Sequence, residues 1–194
     1  MIKNISVKCI DLWEKNGVIK AQDKESYQYG MELLLSTLIN FMLMVMISIC
    51  AIKMPMAFLP YTIVYVPLRM VAGGYHADCH WKCVLYTQGT FIGAIWMVEF
   101  MAKQTMLLVL SGLLISILVI WFLAPIEAEN KPLSRDEWIK ERGNSRKLEM
   151  IIGIVLLGLA CWDKVQADFV IAGIAANISA AISLITAKVK QRNS

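Results

Sequence analysis

The sequence predicts an all-α, polytopic membrane protein with six transmembrane helices and an N-terminal amphipathic helix. Two observations predict the class. The 194 residues are 58% hydrophobic and only 18% charged, against about 25% charged in ordinary soluble domains, and the mean hydropathy is +0.58. The charges also cluster, leaving apolar runs near the ~20 residues that cross a bilayer core. A third observation fixes the plan: with the N-terminus inside, all of the 19 Lys and Arg except Lys53, Lys103 and Lys164 fall on the cytoplasmic side, as the positive-inside rule requires.

The first segment, 1–32, is expected to be cytoplasmic and amphipathic. Ile2, Ile5, Cys9, Leu12 and Trp13 recur at helical spacing beside Lys3, Lys8, Lys15, Lys20 and Lys24, which suits a helix lying on the inner leaflet or packing on the protein's own loops. Asp11, Glu14, Asp23 and Glu25 interrupt it, so it is not read as a secretory signal.

The six-span bundle occupies 33–187, with a cytoplasmic tail at 188–194. The first span runs from about Leu33 to Ile52. The second, from about Met56 to Val71, carries Pro60 and Pro67 and is expected to be kinked or partly broken, with neighbouring helices satisfying the freed carbonyls. The third runs from about Val84 to Ala102, and the fourth from about Thr105 to Ile126. A polar segment, Glu127 to Glu149, balances six acids against six bases and reads as a docking surface or a solvated loop and helix. Two closing spans, about Met150 to Trp162 and Phe169 to Ala187, flank a turn at Asp163-Lys164. Asn40 and Asn177 read as interhelical hydrogen-bond donors, and Glu99, close to Lys103, as a snorkelling acid.

The five cysteines, Cys9, Cys50, Cys79, Cys83 and Cys161, show no framework spacing and read as free thiols. The stretch from Arg69 to Cys83 concentrates the chemistry: it holds both histidines, two cysteines and Gly73-Gly74. A cysteine is a strong nucleophile as thiolate, and an imidazole can take its proton. His76 and Cys83 are seven positions apart, on the order of 10 Å along one continuous helix, so the backbone must bend between them or start its helix after His76. Gly73-Gly74 supplies that freedom, and a helix N-terminus favours a thiolate. The competing arrangement sets His76, Cys79, His80 and Cys83 at i, i+3, i+4 and i+7 as metal ligands in a non-enzymatic binding or transport protein. One straight helix cannot wrap four such ligands tetrahedrally.

Arg69-x-x-Ala72-Gly73-Gly74-Tyr75-His76-Ala77 followed by Cys83 resembles the signature of the AgrB family, the accessory gene regulator membrane cysteine endopeptidases of quorum sensing. The length, the six-span plan and Ala124-Pro125-x4-Asn130-Lys131-Pro132-Leu133 resemble that family too, so the likeness covers essentially the whole chain. The resemblance implies Cys83 as nucleophile and His76 as general base in the cleavage of an AgrD-like propeptide. A thioester on Cys83 would be displaced by an internal cysteine or serine of the peptide, closing a thiolactone or lactone. Arg69 becomes a candidate for the propeptide's carboxylates or the developing oxyanion, with a positive-inside anchor as the alternative. Asp78 is a candidate for orienting the imidazole, Gln88 and Gly74 for supporting the oxyanion, and Lys131 for binding the substrate; loop solvation and helix packing are the alternatives for Asp78 and Gln88. The resemblance also implies a homodimer in the lipid bilayer with its site at the cytoplasmic face. No cofactor, no catalytic metal and no nucleic-acid partner are expected.

Overall fold

A computed structural model describes residues 2–50, 57–74, 80–127, 134–162 and 167–193. Among them the named elements are all helices, with no strand. The elements are α1 (Ile2–Lys15), a short 3-10 turn (Ala21–Asp23), α2 (Lys24–Cys50), α3 (Phe58–Ala72), α4 (His80–Met101), α5 (Met106–Leu123), α6 (Arg135–Ala160) and α7 (Ala167–Asn193). The chain divides into two compact units, Met1–Met46 and Ile47–Ser194.

In the first unit, α1 ends on a glycine stop. Gly17 has φ +67°, a conformation that costs other residues more. The Val18 N–H donates to the Trp13 carbonyl at 2.9 Å and the Gly17 N–H to that of Glu14 at 3.0 Å, the paired bonds of a Schellman motif. The chain then returns so that Lys24 Nζ lies 2.8 Å from Asp11 and 2.7 Å from Glu14. Those hydrogen bonds, to Asp11 first, hold the Lys24 ammonium above the ordinary lysine pKa. The face of α1 expected to be apolar is largely exposed, with Leu12 at 59% and Val18 beyond it at 67%, while Ser6 and Ile10 are buried. The Ser6 hydroxyl lies 2.9 Å from the Lys3 carbonyl and 3.3 Å from Glu32.

The second unit is built around α7, which packs against α3, α4, α5 and α6. The most apolar stretch of α7 is 72% buried, against 22% for that of α5. Small residues make this possible: Ala172, Ala175, Ala176, Ala180, Ala181 and Ala187 are all buried, and they let neighbouring helices approach as side-chain-poor interfaces do in membranes. Gly173 shows how close the approach is, since a Cβ there would come within 2.6 Å of Leu156.

The six expected spans are realised unequally. Among the described residues, four helices are long and apolar enough to cross a bilayer: Lys24–Cys50, Trp81–Met101, Met106–Leu123 and Ala167–Arg192. The second expected span is α3, a shorter apolar helix of 15 residues, about 22 Å long at ~1.5 Å per residue against a ~30 Å hydrocarbon core. It continues through Pro67; Pro60 sits in its first turn, where a missing N–H costs nothing. The fifth expected span is the apolar half of α6, a single helix of 26 residues. Most of the expected polar segment is therefore helix. It starts at a capping box, with Ser134 Oγ accepting from the Glu137 N–H at 3.3 Å and the Glu137 carboxylate accepting from the Ser134 N–H at 2.9 Å. Asp163-Lys164 lies outside the described residues.

Asn177 donates between helices, to Glu149 on α6 at 3.0 Å. Asn40 donates to the Ser36 carbonyl one turn back in its own helix. Glu99 is exposed. Cys9, Cys50, Cys83 and Cys161 are free.

Candidate active site

The site forms where the end of α3 and the start of α4 meet against α7. Tyr61, Tyr65 and Arg69 succeed each other at i, i+4 and i+8 and so share one face of α3. Tyr61 and Tyr65 are 1% exposed; their rings stack at 5.0 Å, and Tyr61 meets Phe91 of α4 edge-on at 5.0 Å. The Tyr61 hydroxyl is 3.1 Å from Thr90 Oγ1. This column ends in the half-buried Arg69, whose guanidinium carbon lies 5.9 Å from the Tyr65 ring and 5.7 Å from the Tyr86 ring of α4. Aromatic faces on two sides suit a cation that is only partly hydrated.

Among the described residues the guanidinium has polar neighbours on α3, α4 and α7. Nη1 donates to Tyr65 Oη at 3.0 Å and to Ser183 Oγ of α7 at 3.4 Å. Nη2 points at Cys83 Sγ at 4.0 Å. Cys83 is half-buried and lies in the first turn of α4, one turn before Thr87, whose hydroxyl donates to the Cys83 carbonyl at 2.9 Å. A fixed positive charge thus sits beside the thiol, flanked by the Tyr65 and Tyr86 rings.

Gly73 and Gly74 are needed for contact as much as for conformation. Their φ values are +79° and +139°. A Cβ on Gly73 would collide with the Ile126 carbonyl oxygen, and one on Gly74 would come within 2.7 Å of Ser183 Oγ. Ile126 donates its N–H to the Ala72 carbonyl at 3.1 Å, so that Gly73 and Ile126 form an isolated parallel bridge. Two further bonds close the surround: Ser145 Oγ lies 3.0 Å from the Val71 carbonyl, and Gln191 Nε2 donates to the Glu127 carbonyl at 3.1 Å.

The structure thus brings Arg69, Gly74 and Cys83 together through α7. Gln88 is buried on α4, but five residues past Cys83 it is rotated by about 140° at ~100° per residue, so the helix does not present it beside the thiol. His76, Asp78, Cys79 and Lys131 lie outside the described residues, and the alternative metal ligand set goes with them. Sequence reasoning missed Tyr65, Tyr86 and Ser183. The spacing Tyr61-x3-Tyr65-x3-Arg69 was a signal available for the first; nothing local marks Ser183, which is 114 residues from Arg69.

The model of one protein family, accessory gene regulator B (AgrB), matches residues 6–187. No curated protein and no solved structure matches the chain. The match covers nearly the whole sequence, so the chain belongs to the AgrB family. Membership, with the long apolar helices, makes it a multi-pass membrane protein with a role in maturation of the accessory gene regulator peptide.

Proposed function

We propose that this member of the AgrB family is a membrane-embedded cysteine endopeptidase that cuts an AgrD-like propeptide through an acyl-enzyme on Cys83. The observation that carries the reading is the guanidinium of Arg69, 4.0 Å from Cys83 Sγ in a half-buried aromatic setting. A cation there favours the sulfur as an anion and remains near the carbonyl oxygen that becomes negative on attack. His76 is two residues from Gly74, a chain reach of about 7 Å, and Gly74 rests on the serine that also holds Arg69. That tether supports His76 as the group that takes the thiol proton.

In the first half-reaction the Cys83 sulfur attacks the scissile carbonyl, and the proton it loses passes to His76. The tetrahedral oxyanion collapses, the peptide C–N bond breaks, and His76 returns the proton to the departing amine. A thioester on Cys83 and a free C-terminal fragment remain. In the second, a cysteine thiol or serine hydroxyl within the bound peptide attacks the thioester, gives up its proton through His76, and restores Cys83 as it closes a thiolactone or lactone. Exchanging thioester for thiolactone is nearly thermoneutral, so release of the fragment helps drive the sequence. Water must be kept out while the thioester lives, and the aromatic lining around Arg69 serves that end.

Asp78 would orient the imidazole, and Lys131, with the polar half of α6, would engage the propeptide. The enzyme works as a homodimer in the bilayer with both termini and the site at the cytoplasmic face, and it uses no metal. Mass spectrometry of a co-expressed AgrD-like propeptide tests the proposal, using wild type, Cys83→Ala and His76→Ala with and without a zinc chelator. Cleavage by wild type alone, indifferent to chelator, is expected. Cleavage that survives Cys83→Ala, or that chelator abolishes, overturns it.

A further inference from the structure

We propose that Ser183, on α7, is a positioning residue of the Cys83 centre, acting through Arg69. The inference rests on the peptidase reading above and deepens it. Ser183 is 1% exposed and lies on the helix that α3 and α4 both pack against. Its Oγ accepts from Arg69 Nη1 at 3.4 Å. The same oxygen occupies the space that a Cβ on Gly74 would need, at 2.7 Å. One hydroxyl therefore touches both parts of the site that the chain delivers separately: the cation beside the thiol and the turn that leads to His76.

The geometry of the guanidinium turns that contact into control. The group is a rigid planar fork, so the direction of one nitrogen fixes the other. Nη1 is held by two oxygens, Tyr65 Oη at 3.0 Å and Ser183 Oγ at 3.4 Å, and with Nη1 held there Nη2 faces Cys83 Sγ. Tyr65 is on the same helix as Arg69, one turn away, and moves with it. Ser183 refers the fork to α7, a third helix beside α3 and α4, and it is packed under Gly74 besides. Losing the hydroxyl removes the hold of α7 on Nη1 and so loosens the aim of Nη2 at Cys83 Sγ. Thr186, a second hydroxyl on α7, does not have this arrangement: it is half-buried and donates to the Ile182 carbonyl of its own helix at 2.8 Å.

The test uses the full-length protein in lipid nanodiscs with two readouts. One is kcat and KM for cleavage of the AgrD-like propeptide. The other is the rate of iodoacetamide alkylation at Cys83 at fixed pH, followed by peptide-mapped mass spectrometry, which needs no substrate. Ser183→Ala, Arg69→Gln, the double variant and Thr186→Ala are compared. Ser183→Ala is expected to lower kcat about tenfold, within the range for small misplacements of reacting groups, with KM little changed, and to slow alkylation in parallel. In the Arg69→Gln background the serine change is expected to cost nothing further, because its route of action is already gone. Thr186→Ala should match wild type in both readouts. A serine effect that multiplies with the arginine effect, an alkylation rate untouched by Ser183→Ala, or an equal loss in Thr186→Ala overturns the proposal. If wild type leaves the propeptide intact, the peptidase reading falls by itself, and the alkylation comparison still decides whether Ser183 governs the thiol through Arg69.

Discussion

Two polar clusters hang from α7, and they are built to opposite ends. At Ser183 the cluster is cationic, half-buried and linked to a thiol, the proposed nucleophile: Arg69 reaches Cys83 and is flanked by two tyrosine rings. At Asn177, six residues earlier and about 9 Å along the helix, the cluster is a wholly buried carboxyl and amide. There Asn177 Nδ2 donates to Glu149 Oε1 at 3.0 Å, and the other two oxygens, Glu149 Oε2 and Asn177 Oδ1, have no hydrogen-bond partner among the described residues. Both clusters tie α7 to another helix. Only the first sets a cation beside a thiol, so the second is read as a tie between α6 and α7. The lesson is that burial of a charged group does not mark an active site; what it faces does.

The comparison can be broken most sharply at Arg69. Arg69→Gln is expected to lower kcat for propeptide cleavage by roughly a hundredfold or more, the scale of losing one oxyanion partner, while thermal unfolding in detergent shifts by little. The reverse pattern is expected at the other cluster. Glu149→Leu leaves the buried Asn177 amide without its acceptor and should cost about 1–3 kcal/mol of stability, read as a lowered unfolding temperature, with kcat per folded molecule nearly unchanged. A smaller and two-sided effect belongs to Gly74→Ala. Its Cβ meets Ser183 Oγ at 2.7 Å but Ser183 Cβ only at 3.6 Å, so adding Ser183→Ala should recover part of the lost stability. The remainder, of order 1 kcal/mol, belongs to the positive φ. Smallest of all is Glu149→Gln. The new amide still accepts from Asn177 Nδ2, and its NH2 can donate to Asn177 Oδ1, so unfolding is expected to stay within about 1 kcal/mol of wild type or to rise. A large loss there would mean that the carboxyl does more than tie two helices.

Much of this was legible in the sequence, for reasons that differ by element. The apolar runs of α2, α4, α5 and α7 are long enough to announce themselves. The Gly73-Gly74 pair was read as conformational freedom, and the structure adds that both glycines are pressed against neighbours, which no local pattern reveals. The fifth span was placed on the apolar half of α6, but its continuity with the polar segment was hidden because hydropathy averages charge over a window. Charges from Arg135 to Glu149 concealed a helix whose capping box at Ser134 and Glu137 was in plain view. Asn177 was read correctly as a donor between helices. Its partner escaped because Glu149 was assigned to the end of a polar segment, whereas it lies at 0% exposure in the bundle. The link from Ser183 to Arg69 was out of reach, since it joins positions that only the packing of α7 makes neighbours.

The bridge between Gly73 and Ile126 has a practical bearing on how this protein can be altered. By hydropathy, Ala124–Glu127 is the end of a span and the start of a connection, an inviting place for an epitope or a topology reporter. It is instead a seam, where backbone 53 positions away in the chain is stitched on through the Ile126 N–H and the Ala72 carbonyl. An insertion there is expected to lift the seam from the glycine turn and abolish the proposed cleavage, with Arg69 and Cys83 themselves unaltered.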